Sequence, residues 1–477
     1  MQLCVMLSIL TVLPTTAPSE ATAYRDDPAV RAKIESLEAR TGVRLPKFAV
    51  QPADVGRYHG ALRKGPGVRN FCNKMVYAPD RGVALYCGAN HNAPHRLNDV
   101  WAYHLPSNTW RLVCPPANDY VRINDYQKRA KKAREQIAKG VDVEKNKRFL
   151  EEEYPALVRK WYETVTFKDG YLQAKGTGAP INPRHTWDGL TYDHRARRLY
   201  WAVLDLGHAW KVKQYAKATG QDAEALVAQI KPASTMYVYD PQTAHWTRQT
   251  GAPPFPRMHG MGGSLTYLPD LDKTLWYIAA TNRSPNDFGL WLYDAKTNTW
   301  TERLNGSTVR NLAHTKKVAP RSELQAAYSP KHRKLVAVLE KGTFIYDVAA
   351  NTWSRGADTP GFGHDAHSVF AYDSTADRFL LVSRTRWRAK NAPWQLFAYD
   401  VAANAWETVT VRGAGLPNDA KAPAWRKCTF AGYYDPGHNA LVLYEARHGH
   451  IWLYRHERAG APPADRASSL DDADRQP

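Results

Sequence analysis

The feature that most constrains this chain is a pair of scarce aromatic residues returning at one fixed spacing. Five segments, VWAYHLPSNTW, MYVYDPQTAHW, LWLYDAKTNTW, TFIYDVAANTW and LFAYDVAANAW, each place a Tyr seven residues ahead of a Trp. The pairs are Tyr103 and Trp110, Tyr239 and Trp246, Tyr293 and Trp300, Tyr346 and Trp353, and Tyr399 and Trp406. With 26 Tyr and 16 Trp in 477 residues, five identical spacings mark an internal repeat. Each copy reads as a β-hairpin: an alternating apolar strand, a short turn bearing Asp, Asn or Ser, and a strand opened by Trp.

Upstream of each copy lies a second hairpin with its own Tyr before a tight turn: Tyr77, Tyr192, Tyr267, Tyr328 and Tyr372. A sixth unit, FAGYYDPGHNALVLYEARHGHIWLYRHE, carries Tyr434 and Tyr454 at the matching places. Every unit is thus four antiparallel strands, and units that cannot bury both faces alone stack radially as propeller blades. The expected fold is all-β: a six-bladed propeller, or seven-bladed if one blade hides in a long insertion.

These segments resemble kelch repeats, and residues 66–456 as a whole resemble the kelch-type propellers related to the central domain of galactose oxidase. Of the glycine doublet that ends the second strand in that family, Gly88 remains. The resemblance implies a closed ring. The last unit lacks a Trp after Tyr454, so closure requires a strand from elsewhere, and RLPKFAVQ at 44–51, near Phe48, is the expected donor within the N-terminal segment 24–65. Galactose oxidase chemistry needs a Cys joined to a Tyr and a copper held by Tyr and His. Nothing in the sequence identifies that set, so the cofactor is left unknown and no metal ligand is assigned.

The opening residues MQLCVMLSILTVLPTTAPSEATA contain an apolar run at 3–13 followed by Ala21-Thr22-Ala23, the pattern of a signal peptide over 1–23. It predicts a secreted or periplasmic protein. Residues 457–477 read as a disordered tail. That apolar run is too short to span a membrane and no later stretch does so. Formal net charge is +19, which attracts anionic partners without specifying fold. Nucleic acid is disfavoured by the signal sequence and by the lack of aromatics among the lysines. The chain is expected to act as a monomer.

Beyond the leader stand Cys72, Cys87, Cys114 and Cys428. A hairpin turning at 78–81 brings Cys72 opposite Cys87, within disulfide reach, and two buried thiols are the equal alternative.

Loops on one face of the propeller are long, including insertions at 111–183 and 204–234, whereas the opposite turns are short. Long loops carry function. Within the insertions, Tyr126, Ala130, Ala133 and Ile137, then Leu150, Tyr154, Leu157 and Trp161, then Ala223, Leu226, Val227 and Ile230 recur at helical spacing. Amphipathic helices packed on the propeller, with Lys128 and Lys132 solvated, are expected.

The innermost strand of each blade begins on the long-loop face beside the channel. Aligned on their Tyr, the strands bring Arg69, Arg184 and His185, His259, Arg321, His364 and Arg426 to one level, and the loop residue His91 joins them. A ring of Arg and His suits a carboxylate, sulfate or phosphate, because guanidinium offers such anions a planar fork. Trp187 supplies a face on which a sugar stacks. Three functions compete: a module binding an acidic polysaccharide or other anionic ligand, a polysaccharide lyase acting by β-elimination with His185 or His259 as base, and a protein-protein scaffold.

Overall fold

The computed structural model describes residues 24–67, 69, 72–88, 97–117, 120–181, 186, 188–202, 208–230, 236–249, 263–278, 289–305, 325–339, 342–360, 368–384, 393–416, 430–446 and 448–459. Six antiparallel sheets form a six-bladed propeller. The innermost strands, from blade one to blade six, are Val76–Ala78, Leu190–Asp193, Ser264–Leu268, Gln325–Ser329, Val369–Asp373 and Phe430–Asp435.

Apolar runs such as KLVAVL and RFLLVSR follow from burial on both strand faces, since successive side chains point to opposite sides. In Arg378–Arg384, Phe379 and Leu381 pack toward blade four, whereas Leu380 and Val382 pack toward blade six. Each of the six blade interfaces holds its own apolar cluster. A blade therefore has no core of its own, and the ring must close to bury its first and last faces.

The repeat spacing corresponds to strand register. Tyr103 faces Trp110, Tyr239 faces Trp246, Tyr293 faces Trp300, Tyr346 faces Trp353 and Tyr399 faces Trp406 across their hairpins. In four of these pairs the ring centroids lie 4.8–5.0 Å apart. The residue five beyond each Tyr turns the chain through the left-handed region: Asn108, Ala244, Asn298, Asn351 and Asn404 have φ of 46–55°. Asn tolerates that conformation better than most residues. Its side-chain oxygen also receives the Tyr hydroxyl, at 2.9 Å from Tyr103, 2.7 Å from Tyr346 and 2.6 Å from Tyr399.

Closure comes from the N-terminal segment, but not where the apolar pattern placed it. Thr41–Arg44 pairs antiparallel with His450–Arg455 as the fourth strand of blade six, with Gly42 opposite Tyr454. Arg412–Gly413 lies parallel outside it. The strand near Phe48, Ala49–Gln51, instead runs parallel to Thr109–Arg111 as a fifth strand of blade one. Gly42 explains the choice: a Cβ there would lie 2.4 Å from the Ala414 carbonyl oxygen and 2.5 Å from the Trp452 ring. Phe48 packs between the two blades, edge-on to Tyr444.

The first hairpin also differs from expectation. Its register pairs Val76 with Leu85 and Ala78 with Val83, so the turn falls at 79–82 with Gly82 at φ +64°. That one-residue shift of the turn moves every cross-strand partner by two and takes Cys87 away from Cys72. No disulfide joins them, and Cys72, Cys87 and Cys114 are buried thiols.

The insertions contain the expected helices, Tyr120–Ala138 and Tyr154–Tyr162 in the first and Ala223–Ala228 in the second. Ala130 and Ala133 are buried against Phe149, while Lys128 and Lys131 point to solvent. A helix at His208–Thr219 and a hairpin, Val165–Lys168 with Tyr171–Ala174, are additional elements that the periodicity did not reveal. Among the described residues no helix is long and apolar enough to cross a membrane.

Candidate functional site

Innermost strands run from the long-loop face to the short turns, so the two ends of the channel are built from different parts of the sequence. At the short-turn end Tyr77, Tyr192, Tyr267, Tyr328, Tyr372 and Tyr434 line one cavity of about 360 Å³. Most of their hydroxyls are engaged. Tyr192 donates to Asp80 at 2.9 Å, Tyr328 to Asp270 at 2.8 Å and Tyr434 to Thr375 at 3.0 Å, each tying one blade to its neighbour. Tyr267 and Tyr372 donate to Asp272 and Asp377 of their own turns. Burial pushes these phenols up, Tyr77 to about 12, so they hold their protons at neutral pH. This end is an aromatic collar, joined by His194, whose imidazole is held below its ordinary value by burial.

Toward the long-loop face the channel is crossed by a polar layer. The Lys74 ammonium, from blade one, donates to Asp188 Oδ2 of blade two at 3.2 Å and to the Leu265 carbonyl of blade three at 2.7 Å. Asp188 Oδ2 also accepts from Ser264 Oγ and, at 3.3 Å, from the Ala326 N–H of blade four, which lies opposite blade one in a ring of six. Next to Lys74, the Asn73 amide donates to the Ser368 carbonyl of blade five at 3.0 Å, and the Asn73 carbonyl accepts from the Gly432 N–H of blade six at 2.8 Å. Six blades thus meet through Asn73, Lys74 and Asp188.

Electrostatically this layer is tense. Burial raises the Asp188 carboxyl above its ordinary value, and the Lys74 ammonium together with the three hydrogen bonds pulls it back. Two of the three Lys74 donors serve protein acceptors among the described residues, and its side chain keeps 17% exposure. Lys74 also lines the tyrosine cavity, so the layer closes the inner end of the collar with one partly solvated cation in it.

Of the residues nominated for ligand contact, Arg69 is described and is withdrawn from that role. It is 1% exposed, and its guanidinium donates to Asp99 at 2.5 Å, to the Gly88 carbonyl at 2.9 Å and to the Pro66 carbonyl at 3.1 Å. Burial opposes its charge, but Asp99 holds the guanidinium above its ordinary value, and Trp101 donates to the same carboxylate at 2.6 Å. Arg69 fastens the entry to blade one. His91, Arg184, His185, Trp187, His259, Arg321, His364 and Arg426 lie outside the described residues. The described residue between them, Thr186, is buried and accepts from Trp201 Nε1 at 3.0 Å.

Sequence reasoning missed Lys74, Asp188 and Ser264. The available signal was a polar residue three or four places ahead of the Tyr of an innermost strand, where an apolar residue would otherwise pack. Their mutual contact has no local signature, because Lys74 and Asp188 are 114 residues apart.

Other reactive groups are held inert. Burial raises the Cys87 thiol well above its ordinary value and pushes Cys114 up to about 12, which suppresses thiolate at neutral pH. Among the described residues no group of three or more His, Cys, Asp or Glu is placed to hold a metal ion. No family model matches the chain, and no curated protein matches it.

Proposed function

We propose that the blades are degenerate kelch-type repeats and that the protein, exported by its N-terminal segment, binds an acidic glycan at the long-loop mouth of the channel. One observation carries the reading. Counting back from the Tyr of each innermost strand, a cation stands eight residues earlier in five blades and seven in the other: Arg69, Arg184, His259, His364 and Arg426 at eight, Arg321 at seven. The structure supports the alignment, since those six tyrosines line a single cavity and so share a level around the axis. With Arg69 engaged internally, Arg184, His259, Arg321, His364 and Arg426 are the basic residues we assign to the ligand, together with His91 and Trp187.

Affinity for a uronic-acid or sulfated oligosaccharide, measured by calorimetry, tests this. Each buried charge-assisted contact contributes about 1.5–3 kcal/mol, so Arg184→Ala should weaken binding about tenfold or more. Lys128→Ala, on the solvated helix face, should leave affinity nearly unchanged. Unaltered affinity in both Arg184→Ala and Arg321→Ala would overturn the site.

A second reading has its own observation: Arg184 is followed directly by His185. A cation beside an imidazole is the pair that β-elimination from a uronate requires, one to neutralise the carboxylate and one to take the adjacent proton. Incubation with uronate polymers, followed by ultraviolet absorbance of the unsaturated product, separates the two. Product formation lost in His185→Ala or His259→Ala with binding retained assigns a lyase, and binding without product assigns a module.

A further inference from the structure

The outer strand of a propeller blade is an edge whose unpaired backbone groups need cover. Blade one is covered by Ala49–Gln51 of the N-terminal segment, and the N-terminal fourth strand of blade six is covered by Arg412–Gly413. In blade two the cover for His245–Arg248 comes from the first insertion, and among the described residues it makes its backbone hydrogen bond to that strand at one step. There the Trp246 N–H donates to the Thr177 carbonyl at 2.7 Å. Gly178, at φ +70°, follows because a Cβ on it would lie 2.3 Å from the Trp246 carbonyl oxygen. Beyond this backbone contact the hairpin Val165–Lys168 and Tyr171–Ala174 meets the edge strand through the Tyr171 ring on Arg248 and leaves a cleft of about 510 Å³. That volume falls within the roughly 300–1,000 Å³ of small-molecule sites.

Lining chemistry narrows the occupant. The cleft is lined by Lys168 and His245, both exposed, by Thr247 and by the half-buried Arg248, whose Nε and Nη1 are buried, against one carboxylate, Asp169. The Arg248 guanidinium carbon lies 3.1 Å from the centroid of the Tyr171 ring and 5.6 Å from that of Tyr237, so its plane is fixed by aromatic contact. A guanidinium held in place loses little freedom when it binds an oxyanion. Threonine hydroxyls and the glycine-opened backbone suit the hydroxyl groups of a sugar, and an apolar ligand would leave them unpaired.

We propose that this cleft is a separate binding site for an acidic saccharide unit, its carboxylate or sulfate received by Arg248 and Lys168. The site uses none of the channel residues and does not depend on the channel reading. The test is calorimetric titration of the full chain with a sulfated disaccharide and with its unsulfated counterpart, in the Arg184→Ala background so that the channel mouth is weakened. Residual binding of the sulfated sugar is expected, weakened at least about tenfold by Arg248→Gln and severalfold by Lys168→Glu. Because Arg248 is half-buried, thermal melts must accompany that variant; Lys168 is exposed and its exchange should leave the melt unchanged. Loss of all binding in the Arg184→Ala background, or residual binding indifferent to both exchanges, overturns the cleft. Binding indifferent to both Arg184→Ala and Arg321→Ala but sensitive to Lys168→Glu would instead retain the cleft and remove the channel site.

Discussion

The two ends of the channel are held together in opposite ways. At the short-turn end the same device recurs around the ring: a Tyr hydroxyl on an Asp or Asn acceptor, reinforced by exposed ion pairs such as Arg333 with Asp270 and Lys331 with Asp377. At the other end one unrepeated ion pair, Lys74 with Asp188, reaches blades one to four. Repetition spreads the load over many weak ties, any of which is dispensable. The unrepeated layer concentrates it, so the two ends should respond very differently to single substitutions.

The largest effect is therefore expected from Lys74→Ala. It leaves Asp188 buried with the Ser264 hydroxyl and the Ala326 N–H but without its cation. Breaking a buried pair this way destabilises by about 3–5 kcal/mol, to be read from urea unfolding at neutral pH. A loss below about 1 kcal/mol would show that the layer is a bystander. The pH dependence has a fixed sign. Asp188 titrates above its ordinary value in the native state, so between the ordinary and the raised value the folded chain binds the extra proton. Its contribution to stability must then fall as pH rises through that window. Asp188→Asn should remove this slope, and Lys74→Ala should steepen it and extend it upward.

A smaller effect is expected at the repeated end of a hairpin. Asn404, at φ 51°, accepts the Tyr399 hydroxyl at 2.6 Å and the Ala357 N–H at 2.7 Å. Asn404→Ala loses both bonds and forces a Cβ-bearing residue without a compensating side chain into the left-handed region, for about 1–3 kcal/mol in all. Asn404→Gly loses the bonds and relieves the strain, so the difference between the two melts isolates the backbone part. Equal melts would mean that the turn conformation contributes nothing.

That contrast also explains what could be read from the chain. Tyr and Trp seven apart meet across one hairpin, so their spacing is a register written in local sequence, and it held in every copy. Ring closure from the N-terminal side was legible from the missing Trp after Tyr454. Its position was not, because TGVR lacks the apolar alternation of RLPKFAVQ and earns its place by the small size of Gly42 beside Trp452. Cys72 and Cys87 were misplaced by a one-residue shift of one turn, which moves every cross-strand partner by two, and the Pro-Asp-Arg-Gly stretch accommodates either register. Lys74 and Asp188 belong to the remaining class, contacts made by the closed ring alone. The basic residues ahead of the tyrosines were legible as a sequence spacing, and Arg69 shows that spacing does not decide whether a side chain faces a ligand or the interior.

The smallest expected effect runs in the favourable direction and tests the turn rule where the protein breaks it. In blade two the residue five beyond Tyr239 is Ala244, which adopts φ 54° with no side-chain oxygen to offer. Tyr239 turns its hydroxyl elsewhere, to the Val113 carbonyl at 3.3 Å, a longer bond than Tyr103, Tyr346 or Tyr399 makes to its Asn. Alanine in the left-handed region is strained by roughly 1 kcal/mol relative to residues that tolerate it. Ala244→Gly should accordingly stabilise the protein by about 0.5 kcal/mol once the extra freedom of glycine in the unfolded chain is subtracted. Ala244→Asn should stabilise it by about 0.5–1 kcal/mol, since it suits the conformation and restores the acceptor found in the other hairpins. Urea midpoints for the two variants resolve the comparison: Asn above Gly above wild type is the order the repeat demands. An Asn variant below wild type would mean that the apolar contact of Ala244 with the interface between blades one and two outweighs the turn, making this blade a departure from the repeat for a packing reason.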